Sequence, residues 1–206
     1  MRLFARTAVT LVTLFATTIG LIRAQPYDDH GLRAFFMPPA NCPQPCWQGI
    51  SPGSTSGTDA YRLLNRQPWV DEIDLYIDLN ALAWTWSGTH PAWINANERG
   101  VISIDGRGVQ YIRIATTLTF ADVWLAFGKP DRNRVRFTGL SAMTSLEHTA
   151  AYLGGSLYAV GAPMGCEFPM REYWERPVAI VLDNPNANRF ASADTRDFDP
   201  YDRPYC

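Results

Sequence analysis

Hydrophobic positions fall into three successive patterns along the chain. The first is an apolar run from Ala8 to Ile22, interrupted only by threonines and preceded by Arg2 and Arg6. The second is helical. Thr55 stands as an N-cap before the stripe Ala60, Leu63 and Leu64, and Gln67-Pro68 ends it. A stronger stripe follows Thr117, with Phe120, Val123, Trp124 and Phe127 at i, i+3, i+4 and i+7, closed by Gly128 and Pro130. The third pattern is alternation of β-branched and aromatic residues, which predicts antiparallel strands. These cover 72–79, 81–87, 100–105 and 109–114 after the first helix, with Asp105-Gly106-Arg107-Gly108 as a hairpin turn. After the second helix they cover 134–140, 150–160 and 178–183.

A shift of 62 places Thr55 on Thr117, Leu63 on Leu125, Pro68 on Pro130, Ile73 on Val135 and Leu75 on Phe137. This correspondence predicts an internal duplication. The expected fold class is α+β, two related helix-plus-antiparallel-sheet modules with the helices on one face of the sheet. The expected boundaries are 1–24, a signal peptide; 25–54, an irregular segment; 55–116 and 117–190, the two modules; and 191–206, an acidic tail.

Charge order at the N-terminus reads as an export signal, with basic, apolar and cleavage regions ending at Ala24. The apolar run is shorter than the roughly 20 residues of a spanning helix. Ile22 stands where a small residue is preferred for cleavage, so an uncleaved N-terminal anchor is the alternative. The chain has 20 acidic and 18 basic residues, and Arg2, Arg6 and Arg23 belong to the signal. The remainder is therefore acidic, which argues against nucleic acid as a partner.

Four cysteines, Cys42, Cys46, Cys166 and Cys206, follow the signal, where an oxidising compartment makes disulfides the expectation. Pairing Cys42 with Cys46 and Cys166 with Cys206 is favoured; a crossed pattern tying the N-terminal loop to the tail is the alternative. The three residues between Cys42 and Cys46 do not match the two-residue spacing of redox motifs. Zinc would need further ligands, and His30, His90 and His148 are scattered. In the tail, Asp194, Asp197, Asp199 and Asp202 lack the Gly turn and closing Glu of a calcium loop, and Arg196 and Arg203 offset their charge. No metal and no cofactor is expected.

The stretches "GISPGST" and "TTLTFADVWLAFGKPDRNRVRF" resemble the G-x-T, helix, Gly-x-Pro, strand pattern of small outer-membrane-assembly lipoproteins and β-lactamase inhibitor proteins. The start "PCWQGISPGST" also looks like that of exported bacterial proteins with a PCWxGIxPGxT opening. The resemblance implies a non-catalytic, protein-binding scaffold. The chain departs from it in lacking a lipid-attachment Cys and in having longer strands.

Candidate chemistry is sparse. No His-Glu-x-x-His pair occurs. Glu147 and His148 are adjacent, so on a strand they point to opposite faces; His148 is expected to be partly exposed. Glu72, Asp74 and Asp78 form an acidic row. Trp84, Trp86 and Trp93 either pack in the core of this seven-tryptophan chain or present a binding face. Arg132, Arg134 and Arg136 alternate as a basic stripe opposite Val135 and Phe137. The expectation is an exported, non-enzymatic binding or scaffold protein, its partner another envelope or extracellular protein. A hydrolase of envelope or sugar substrates and a small-ligand or lipid carrier are the alternatives.

Overall fold

A computed structural model describes residues 2–24, 27–38, 42, 45–138, 145–165, 169–187 and 195–198. The chain divides into two units, Met1–His30 and Gly31–Cys206. In the first unit, Arg2–Ala24 forms α1. Hydroxyls of Thr10, Thr13, Thr17 and Thr18 donate to carbonyls four residues earlier at 2.8–2.9 Å, so the run's polar groups are satisfied within the helix. No described helix is long and apolar enough to cross a membrane.

The second unit is an α+β fold dominated by one antiparallel sheet. Its helices are α2 (Leu32–Phe36), α3 (Gly57–Leu64), α4 (Phe120–Phe127) and α5 (Met170–Glu175). Its strands are β1 (Val70–Tyr76), β2 (Ala81–Trp86), β3 (Gly100–Asp105), β4 (Gly108–Thr119), β5 (Arg132–Thr138), β6 (Ser145–Tyr152), β7 (Leu157–Gly161), β8 (Met164–Gly165), β9 (Pro177–Asp183) and β10 (Thr195–Asp197). The strand order is β1-β2-β3-β4-β9-β7-β6-β5-β10, with β8 beside β6. The strands 70–119 thus form a meander from one edge inward. The seam lies between β4 and β9, where Ile112 faces Leu182 and Ala115 faces Ala179.

Several boundaries differ from the sequence expectation, each for a local reason. The single strand expected over 150–160 is two, β6 and β7, because Gly154 and Gly155 adopt φ of 68° and 80° and turn the chain through a 3₁₀ segment. The caps also move. Ser56, not Thr55, caps α3 by accepting from Asp59 N, while Thr55 Oγ1 accepts from Ser51 N in the preceding turn. Thr119, not Thr117, caps α4; Thr117 instead donates its hydroxyl to Trp93 O at 3.1 Å.

Strand register divides the sheet into two faces. Leu82, Ile102 and Ile112 are cross-strand neighbours on one face, with Ile114, Ile180 and Ala159 continuing the row. All are buried in one cluster with Ala60 and Leu64 of α3 and Phe120, Val123 and Ala126 of α4. Burying these side chains removes the apolar surface that drives folding, each large one contributing about 1.5–3 kcal/mol. Gly100 lies opposite Trp84, and a Cβ on it would meet Trp84 Cζ2 at 2.0 Å, so the absent side chain makes room for the indole.

The Cys42–Cys46 disulfide forms, with Cα atoms 5.9 Å apart. Beside it Trp47 and Ile50 make a short antiparallel bridge and are both fully buried. Because Cys42 and Cys46 pair with each other, the crossed alternative does not hold; Cys166 and Cys206 lie outside the described residues.

Candidate functional site: a charged cleft on the helix-free sheet face

Of the two readings of Trp84, Trp86 and Trp93, packing in the core is the one the structure has. Trp84, Trp86 and Trp93 are buried in a nest with Trp47, Trp69, Phe35 and Phe36, ring centroids 5.1–6.4 Å apart. The physical reason is parity. Trp84 and Trp86 sit on the same face as Leu82, and that face is the one the loops before α3 cover. None of the three indoles is available to a partner.

His148 is likewise buried, 1 % exposed, rather than partly exposed. Its ring contacts Tyr173 of α5 at 5.4 Å and Phe198 after β10 at 4.4 Å. Burial, aided by the charge of Arg176, pushes its pKa down to about 4. Tyr173 shares this pocket; burial raises its phenol to about 12, against a hydrogen bond with Asn133 that lowers it. Glu147 points the opposite way, as adjacency on a strand requires.

That opposite face carries no helix of α2–α5 among the described residues. Its cross-strand rows are Asp74, Ala83, Val101, Arg113 and Val181, then Ala115, Ala179, Val160, Thr149 and Arg134. Arg132, Arg134 and Arg136 share it. Arg136 Nη2 donates to Glu147 Oε1 at 2.7 Å, Arg134 lies 3.7 Å from Asp197 of β10, and Arg132 is exposed. The basic stripe is therefore partly neutralised by its neighbours.

Midway across the face is a cleft of about 280 Å³. Small side chains, Ala115, Val160 and Ala179, form its floor along the β4–β9–β7 seam. One wall comes from a loop. Trp93 and Asn95 pair with the outer end of β4 through Thr117 N to Trp93 O (2.8 Å) and Asn95 N to Ala115 O (3.1 Å), which hangs the turn 95–98 over the strand. There Asn95 Nδ2 donates to Glu98 Oε1 at 3.1 Å, and both Arg113 terminal nitrogens reach Glu98 Oε2 at 3.5 Å. The other wall is Glu147, which accepts from Arg136 outside the lining, and Pro163 and Pro177 complete the rim.

Two carboxylates thus line one cleft, each held by a guanidinium from its own side. Fixed charges of both signs stand around a small-residue floor. A second depression, about 390 Å³ beside α5, is walled by Arg171, Glu172, Glu175 and Arg176, whose charges pair within the helix turn that carries them. Among the described residues no group of three His, Cys, Asp or Glu side chains gathers as a metal site.

None of this cleft was named from the sequence apart from Glu147. Its residues come from four strands and a loop, and only the strand alternation around Arg113 gave a local sign of which face they would share. Comparisons with protein-family models, curated proteins and solved structures find no match to this chain.

Proposed function

We propose that this chain is an exported, non-enzymatic binding protein whose helix-free sheet face docks an envelope or extracellular protein. One observation carries the reading: the central cleft, open on its face, with Glu98 and Arg113 on one side and Glu147 on the other across a floor of small residues. A side chain or loop inserted there meets complementary charge of either sign and little steric resistance. Export rests on the Arg2–Ala24 order of charge and hydrophobicity and on the Cys42–Cys46 disulfide, which suits an oxidising compartment.

The same reading takes the sheet as two related modules, α3 with β1–β4 and α4 with β5, β6, β7 and β9. In support, β1 and β5 are related by a shift of 62, and each helix is capped by a hydroxyl residue with an aspartate three positions on. The two strand sets run inward from opposite ends to the β4–β9 seam.

The test is affinity capture from the native envelope fraction by the wild-type chain and by the charge reversals Arg113→Glu and Glu147→Arg. A partner retained by the wild type and lost by both variants, with unchanged circular dichroism, supports the reading. Equal capture by all three would count against it. The hydrolase alternative has a specific observation, two carboxylates in one cleft; release of reducing sugar from envelope glycans, abolished by Glu98→Gln or Glu147→Gln, would replace the binding reading.

A further inference from the structure

The two edges of the sheet are finished differently. At one end β10 covers β5, Thr195 opposite Arg136 and Asp197 opposite Arg134. At the other, β1 pairs only with β2 among the described residues, leaving one line of backbone donors and acceptors open to a further strand. A bulge between Val70 and Ile73 disturbs its first half, and from Ile73 to Tyr76 the register is regular.

Within the unit Gly31–Cys206, apolar exposure concentrates where that regular stretch turns into β2. Leu75, Ile77 and Leu79 are 63 %, 76 % and 72 % exposed, and Tyr76 is exposed beside them. In a soluble chain, contiguous exposed aliphatic side chains on an open edge mark an interaction surface. The same stretch carries Asp71, Glu72, Asp74 and Asp78 and no cation. The described ion pair of this strand is Asp74 with Arg99, which also donates to Tyr76 Oη at 2.7 Å.

We propose that β1 and the turn after it form a second docking site, which takes an extended basic-apolar segment of another protein as an added antiparallel or parallel strand. Backbone pairing supplies the affinity of strand addition and alternate side chains supply the selection. On one side the partner's apolar residues cover Leu75, Ile77 and Leu79. On the other its Lys or Arg residues meet the carboxylates. Charge argues against a second copy docking by the same edge, since two such strands would bring eight carboxylates together. This site shares no residue with the cleft, so either can fail without the other.

The probe is a synthetic peptide alternating Lys and Val, compared with one alternating Glu and Val, added to the full chain. Fluorescence anisotropy should give at least about tenfold tighter binding for the Lys peptide, weakening as salt screens the carboxylates. Hydrogen exchange should slow at residues 73–79 and not around Ala115 and Ala179. The double variant Ile77→Ser, Leu79→Ser and the triple variant Asp71→Asn, Glu72→Gln, Asp78→Asn should each lose most of the binding while exchange elsewhere in the sheet stays unchanged. Three results would overturn the proposal. The first is equal affinity for the two peptides, and the second is protection mapped to another surface. The third is concentration-dependent self-association abolished by Ile77→Ser, Leu79→Ser, which would make a second copy the occupant.

Discussion

The two ends of the core are built from different materials. Beneath β1–β3 the filling is tryptophan and phenylalanine, Trp47 stacked on Trp84 at 5.9 Å and Trp69 tilted against Trp86 at 5.4 Å. Beneath β5–β7 it is Phe120, Tyr152, Tyr173, Phe198 and His148, with Phe120 stacked on Tyr173 at 4.7 Å. Among the described residues the first end buries no titratable side chain in its aromatic nest, His90 touching only its rim at Trp86 (ring centroids 6.2 Å). Its polar atoms are indole N–H groups, and those of Trp47 and Trp84 find no acceptor among the described residues. The second end hydrogen-bonds its Tyr173 to Asn133 and buries an imidazole. One end therefore gains stability chiefly from packing, with Trp86 Nε1 donating to Glu98 O at 3.0 Å, and tolerates two unpaired donors; the other couples its packing to protonation.

The largest expected effect lies in the first end. Trp84→Ala should cost about 4 kcal/mol by urea denaturation, since it removes the ring at the centre of the nest and leaves a cavity. Approached from the other side, Gly100→Ala should cost about 3 kcal/mol, because its Cβ would press on Trp84 at 2.0 Å and the indole has no free volume to enter. The corresponding close approach in the second end is softer: a Cβ on Gly161 lies 2.8 Å from Phe120 Cε2, at the first residue of α4. Gly161→Ala should cost about 1–2 kcal/mol. If Gly100→Ala proved the milder of the two, the rigid-nest account of the first end would be wrong.

Acid should separate the two ends next. His148 has a folded-state pKa of about 4 against an ordinary 6.5, so between these values the unfolded chain binds a proton the folded one refuses. Stability contributed above pH 6.5 is lost as pH falls toward 4, by about 3 kcal/mol in all, and changes no further from this group below that. The wild type should show this slope and His148→Phe should lack it over the same window. Tyr173 near-ultraviolet signals should broaden with the transition before those of the tryptophan nest; simultaneous loss would show that the ends do not respond separately.

How much of this was legible varies with how local the cause is. The strands at Ala81–Trp86 and Gly100–Asp105 stood out because alternation and turn residues are written within a few positions. The Cys42–Cys46 bridge was legible for the same reason. The face of the tryptophans was not: parity says that Trp84 and Trp86 agree, but which side the helices take depends on chain segments thirty and more residues away. For His148 a sign did exist. Leu146, Ala150 and Tyr152 share its parity, and extending the strand back to Ser145 would have placed the imidazole on their apolar face. The cleft had no such sign, because Asn95, Glu98, Arg113 and Glu147 meet only after the β4–β9 seam closes.

The caps give the smallest effect and the finest comparison between the two halves. Both helices begin in runs of Ser and Thr, where sequence offers several hydroxyls and only the backbone decides which one meets the N3 amide. In α4 the choice is Thr119, and the arrangement is reciprocal: its Oγ1 accepts from Asp122 N at 3.3 Å while Asp122 Oδ2 accepts from Thr119 N at 2.8 Å. In α3, Ser56 Oγ accepts from Asp59 N at 3.1 Å, but Asp59 returns its contact to the hydroxyl rather than to the backbone. Two amides are satisfied in one case and one in the other. Thr119→Ala should therefore cost about 1–2 kcal/mol and Ser56→Ala about 0.5–1 kcal/mol, with Thr55→Ala and Thr117→Ala leaving their helices' caps intact. Thermal or urea unfolding at neutral pH reads the order directly. A Ser56→Ala loss equal to that of Thr119→Ala would mean that the α3 cap also reaches its backbone amide in solution.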